Sequence, residues 1–128
     1  MRLDPAYSLA HNNLGALLFD KGDYAAAKVE FARVLAGDPS SNSARFNMAR
    51  TLAAMGDHLA AIREYEALLA KDPNDIAARY QLGLSYAATN RKQEALAELG
   101  RALQMDRDAN AQSANRIAPP KPIMLAAF

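Results

Sequence analysis

The chain is expected to fold as an all-α solenoid: three helix–turn–helix repeats followed by a C-terminal tail. Three observations lead there. Asp4-Pro5, Asp38-Pro39 and Asp72-Pro73 recur at 34-residue intervals, and Asp106 falls on the same comb with Arg107 in place of the proline. The positions between these marks keep the register too. Finally, an alanine-rich composition with few aromatics and no Trp favours closely packed helices over a sheet. A repeat of this length, each unit too small to bury its own core, is the mark of stacked helix pairs.

The elements follow in order. A first helix over 7–20 carries Leu14, Gly15 and Leu18; Gly22 breaks it, and Asp23 stands ready to cap a second helix over 24–36. The second unit repeats this with Met48, Ala49 and Leu52 on a helix at 42–55, a break at Gly56, the cap Asp57 and a helix at 58–71. In the third unit, Leu82, Gly83 and Tyr86 lie on 76–89, Asn90 takes the place of the breaking glycine, and the last helix runs 92–105. Small residues at Gly15/Ala49/Gly83 and at Ala27/Ala61/Ala95 let paired helices approach, and Phe31, Tyr65 and Leu99 fill the space between. Each proline ends one unit, because it cannot continue a helix but is tolerated near the start of the next.

This pattern of 34 residues, with small–Leu–Gly, Ala and Phe landmarks before a terminal proline, resembles the tetratricopeptide repeat (TPR) family over about residues 8–107. The resemblance implies a right-handed α–α superhelix with units at 8–41, 42–75 and 76–107. Residues 1–7 then stand as the remnant of a preceding repeat or an N-terminal cap. Residues 108–128 form a short helix and a Pro-containing apolar tail. One family feature is missing: an aromatic near the start of each first helix is replaced by His11, Arg45 and Arg79.

The resemblance also implies a function: binding a polypeptide on a concave face lined by the first helices. Counting along them selects Asn12, Asn13, Phe46, Asn47, Arg50, Tyr80, Gln81 and Leu84. Asn13, Asn47 and Gln81 share one column, a row of carboxamides able to pair with the amides of an extended peptide. Phe46, Tyr80 and Leu84 add apolar contact. Family members that hold the acidic tail of heat-shock chaperones use Lys, Asn, Asn, Lys and Arg at the positions of Asn12, Ala16, Asn47, Ala77 and Gln81. Only Asn47 agrees, so a terminal dicarboxylate would meet little compensating charge.

Other chemistry is hard to find. The formal charge of +1 gives no footprint for nucleic acid, and no cysteine supplies a disulfide or thiolate. No apolar run approaches the roughly 20 residues a membrane-spanning helix needs, so no membrane insertion is expected. His11 and His58 fall in different parts of the repeat, which argues against a metal site. Glu64, Glu66, Glu94 and Glu98, among Arg63, Lys92 and Arg101, read as a solvated outer face with modest ion pairing. With no Gly-rich phosphate loop and no nucleophile–base set, neither an enzyme nor a cofactor is expected. Without a leader the default compartment is the cytoplasm, although a periplasmic domain or a part of a larger protein would carry the same sequence.

After Met105 the periodicity fades. Residues 107–116 suit a short helix covering the last pair, Pro119-Pro120-Lys121-Pro122 dictates an extended spacer, and residues 123–128 form an apolar run. Such an end should seek cover, either on the third repeat or in a neighbouring molecule. The expected function is therefore a protein–protein interaction module holding an extended peptide or helix of a partner. The alternatives are a self-associating scaffold, a homo-oligomer joined by tail-in-groove or end-to-end stacking, and a regulatory or docking domain of a larger enzyme.

Overall fold

The computed structural model describes residues 4–116. Six helices follow one another: α1 (Pro5–Asp20), α2 (Tyr24–Gly37), α3 (Asn42–Ala54), α4 (His58–Lys71), α5 (Ile76–Ala88) and α6 (Lys92–Arg116). Among the described residues there is no strand. Each helix packs on its neighbours in the chain, and α1 also touches α3 as α3 touches α5. No such contact joins α2, α4 and α6 to one another. The first helices of the three units thus lie closer together than the second ones, which puts α1, α3 and α5 on the inner side of the stack.

The turns inside the pairs work as the residue types require. Gly22 and Gly56 both sit at φ 88°, and Asn90 takes φ 63°, the left-handed conformation that lets a helix end tightly. Asp23 and Asp57 then accept hydrogen bonds from the amides of Ala26 and Ala60. Such a cap contributes about 1 kcal/mol. Asp38 and Asp72 close α2 and α4 through their own amides, while Ser41 and Asp75 cap α3 and α5.

Both ends differ from the register. Asp4 accepts from the amide of Ala6 and Pro5 opens α1, so this Asp-Pro pair starts a helix instead of closing one. No described helix precedes it, and its carboxylate is therefore available to the first turn. At the other end α6 runs unbroken through the stretch expected to form a separate helix. The cause is Arg107: where Pro39 and Pro73 lack an amide, arginine keeps the ladder intact, and the Ala-rich sequence beyond prolongs it. The spacer at 119–122 and the apolar run at 123–128 lie outside the described residues.

One continuous core threads all three units, from Ala27 and Phe31 through Tyr65 to Tyr86 and Ala95. Tyr65 is its largest fully buried side chain. Its hydroxyl has no hydrogen-bond partner among the described residues, and burial pushes its pKa well above the usual phenol value, against a smaller opposing pull from Arg50. Tyr65→Phe removes that stranded hydroxyl and keeps the ring. At neutral pH its urea midpoint is expected to stay level or rise, by at most about 1 kcal/mol. The wild type should also lose stability as pH climbs above about 10, where only the unfolded tyrosine ionises freely, and the variant should lose less. A variant less stable than wild type at neutral pH would mean that the hydroxyl has a partner.

Packing also explains the missing aromatics. His11, Arg45 and Arg79 each reach the glutamate 19 residues on: His11 Nδ1 lies 2.6 Å from Glu30, Arg45 Nη1 2.7 Å from Glu64 and Arg79 Nη1 2.8 Å from Glu98. Arg45 and Arg79 also donate to the carbonyls of Pro39 and Pro73, each at 2.9 Å. One polar clamp per repeat thus ties the first helix to the second. Glu64 and Glu98 belong to these clamps, which corrects their assignment to a solvated outer face. Glu94 pairs locally with Arg91, and Glu66 accepts from the Tyr86 hydroxyl at 3.3 Å.

Candidate functional site

The inner face carries the residues selected from the sequence, and the structure sorts them into groups. Asn47, on α3, donates to Asn12 Oδ1 at 3.1 Å, and Asn12 donates to Ser43 Oγ at 2.9 Å. This small relay joins α1 to α3 and occupies part of the hydrogen-bonding capacity of both amides. Asn13 is exposed and Gln81 half-buried.

Arg50 is the hinge of the site. Its guanidinium lies 4.4 Å above the centre of the Phe19 ring, which is in turn tilted against Tyr24. No carboxylate lies within ion-pair distance of Arg50 among the described residues. A cation stacked on an aromatic face keeps its outward donors free. Two adjoining hollows share Arg50 and Phe19. One, of about 360 Å³, is walled by Ala53, Ala54, His58, Gln81, Leu84 and Ser85. The other, of about 140 Å³, is walled by Ala16, Asp20, Phe31 and Asn47. Asn47, Arg50, Gln81 and Leu84 therefore border one continuous channel across α1, α3 and α5.

Two predicted residues stand apart from it. Phe46 meets Tyr65 edge-on, with centroids 5.9 Å apart, and packs on the core. Tyr80 borders a different hollow at the far end of the stack, together with Ile76, Ala77, Ala102, Leu103 and Asp106. Sequence reasoning missed Phe19 and His58. Phe19 lay in the helix count as lining, but its place under Arg50 depends on how α1 meets α3. His58 opens α4 and carries a buried Nδ1 without a partner among the described residues, a position set by the turn and not by any motif.

The described residues contain no group of three His, Asp or Glu side chains suited to a metal ion, and no described helix is long and apolar enough to cross a membrane. The channel can nonetheless present a cation, an amide and an apolar wall side by side.

Comparison with known proteins gives a consistent result. Tetratricopeptide repeat family profiles match residues 12–74 and 58–117. No curated protein matches the sequence. Among solved structures, the crystal structure of MamA is 25% identical with a TM-score of 0.74, over 81% of this chain and 61% of that one. This chain thus spans about three fifths of that protein. The first TPR domain of Spaghetti (RPAP3) reaches a TM-score of 0.77 at 19% identity, over 84% of this chain and 85% of that one. The TPR2B domain of yeast Sti1 reaches 0.76 at 23% identity, over 87% and 89%.

Proposed function

Because the chain belongs to the tetratricopeptide repeat family, we propose that it is a protein–protein interaction module that takes an extended segment or a helix of a partner along the channel of α1, α3 and α5. The observation that carries this reading is Arg50: a cation without an internal counter-charge, held open on Phe19, between the amides of Asn47 and Gln81 and the apolar wall of Leu84. A groove lined this way offers hydrogen bonds to a backbone and a dry surface to side chains. Folds like this one hold peptides: the Spaghetti domain is bound to the HSP90 peptide SRMEEVD, and the Sti1 domain is in a pHsp70 complex. The mode of binding is what carries over. The chaperone tail does not, because Asn12, Ala16, Ala77 and Gln81 lack the residues that hold it.

Selection from a displayed peptide library tests the reading. The wild type should enrich a defined motif, and an Arg50→Ala/Leu84→Asp variant with unchanged circular dichroism should bind that motif at least tenfold more weakly. Leu59→Asp, on the outward part of α4, should bind normally. Loss with Leu59→Asp and not with the double variant would move the site to the outer face.

A further inference from the structure

The two ends of the stack expose what its interior hides. Leu14 and Leu17 on α1 are 46% and 68% exposed. Their counterparts 34 and 68 residues on, Met48 and Leu82 for the first, Thr51 and Ser85 for the second, are all buried. The same holds for Ala10 beside the buried Ala44 and Ala78. At the other end Leu96 and Leu103 on α6 are 73% and 63% exposed, whereas Ile62 and Leu69, their counterparts on α4, are buried in one cluster with Ala78, Leu82 and Tyr86 of the third unit. Tyr80 is exposed where its counterpart Phe46 packs on the core.

Within each column the internal and terminal residues differ in one respect, the presence of a neighbouring unit. A first helix is covered by the unit before it, and a second helix by the unit after it. The α1 face and the α5–α6 face are therefore the two complementary halves of a junction that the chain already forms twice, between α2 and α3 and between α4 and α5. Between the halves at the far end lies a largely apolar hollow of about 480 Å³, walled by Ile76, Ala77, Tyr80, Ala102 and Leu103.

We propose that these halves meet between copies: the α1 face of one chain docks on the α5–α6 face of another, with Leu14 and Leu17 lying over Tyr80, Leu96 and Leu103. A second copy is the occupant that accounts for both exposed ends at once. The chain's own 123–128 segment would cover one end and leave the other bare. Because the two faces differ, the contact is heterologous, and successive copies add head to tail. This proposal uses none of the channel residues and stands or falls separately from the peptide-binding reading.

Sedimentation velocity on the full chain, from micromolar to several hundred micromolar, provides the test. The wild type should form oligomers that grow with concentration. Leu17→Asp and Leu103→Asp should each remain folded, since both sites are exposed, and each should weaken association at least tenfold. Each variant keeps one intact end, so an equimolar mixture of the two should form a one-to-one dimer and nothing larger. A wild type that stays monomeric throughout would overturn the proposal, as would variants that assemble normally or a mixture that stays monomeric. If Leu125→Asp abolished association while Leu17→Asp preserved it, the 123–128 segment would be the occupant, and the proposal would again be overturned.

Discussion

Replacing Arg79 by methionine is expected to destabilise the protein by about 2–3 kcal/mol, somewhat below the usual cost of breaking a fully buried ion pair. The side chain of Arg79 is almost completely enclosed; it donates to Glu98 and to the carbonyl of Pro73. Methionine fills comparable space but leaves a half-buried carboxylate without its counter-charge and a turn carbonyl without its donor. Glu98 keeps some access to water, which is why the loss stays below the upper end of the range. Arg45→Met should cost less, because Arg45 and Glu64 are both more exposed than the Arg79–Glu98 pair. Arg33→Ala, at a pair whose arginine is mostly in solvent, should cost no more than about 0.5 kcal/mol. Urea midpoints of the three variants should rank in that order. Adding Glu98→Leu to Arg79→Met should recover most of the loss, since two apolar side chains can replace a buried pair at little cost. A loss at Arg79 no greater than that at Arg33 would show that the clamp does not hold the hairpin.

Gly83→Val is expected to cost about 3 kcal/mol, at the upper end for overpacking. A Cβ built on Gly83 would lie 2.7 and 2.8 Å from the Leu99 side chain and 3.3 Å from the Leu99 backbone nitrogen. The side chain can turn aside, but the backbone contact keeps α5 and α6 from relaxing together. Gly83→Ala should cost less, because alanine's helix preference of about 1 kcal/mol offsets part of the clash. Gly100 provides the control. It lies on α6 with nothing within 4 Å of its ideal Cβ, so Gly100→Ala should stabilise by up to about 1 kcal/mol. Thermal and urea unfolding should move in opposite directions for Gly83→Val and Gly100→Ala. If both substitutions stabilised, close approach at Gly83 would not be what selects glycine there.

The same glycine shows how far a sequence can be read. A recurring small residue at positions 15, 49 and 83 announces that two helices come close, and the recurring Phe31, Tyr65 and Leu99 announce what they close upon. Boundaries were legible to within one or two residues for α2 to α5, because caps and helix breaks are local chemistry. They were less legible at the ends, where Asp4-Pro5 opens a helix and Arg107 lets α6 run on. The polar clamps were not legible at all. The glutamates at 64 and 98 look like surface charges until the hairpin brings them to Arg45 and Arg79, and nothing within a single helix marks the partner.

The candidate site divides along the same line. Helical counting identified the inner-facing positions, yet it could not separate Tyr80 from Gln81 or Phe46 from Asn47. Neighbours in sequence point about 100° apart on a helix, and which of them meets the channel depends on the angle at which units stack. The amide row was visible as a column. That Asn47 already spends one bond on Asn12, and that Arg50 rests on Phe19, required the units to be placed against each other.

The sequence by itself determined the number of repeats, their register, their turns and the small–large pairing of the core. All of these follow from interactions between residues within one 34-residue unit, and the repetition makes them stand out. Tertiary structure alone decided which charges pair, which inner-face residues border one channel, and which columns end exposed at the two ends of the stack. These depend on contacts between units, and a unit's sequence does not record whether another unit lies beside it.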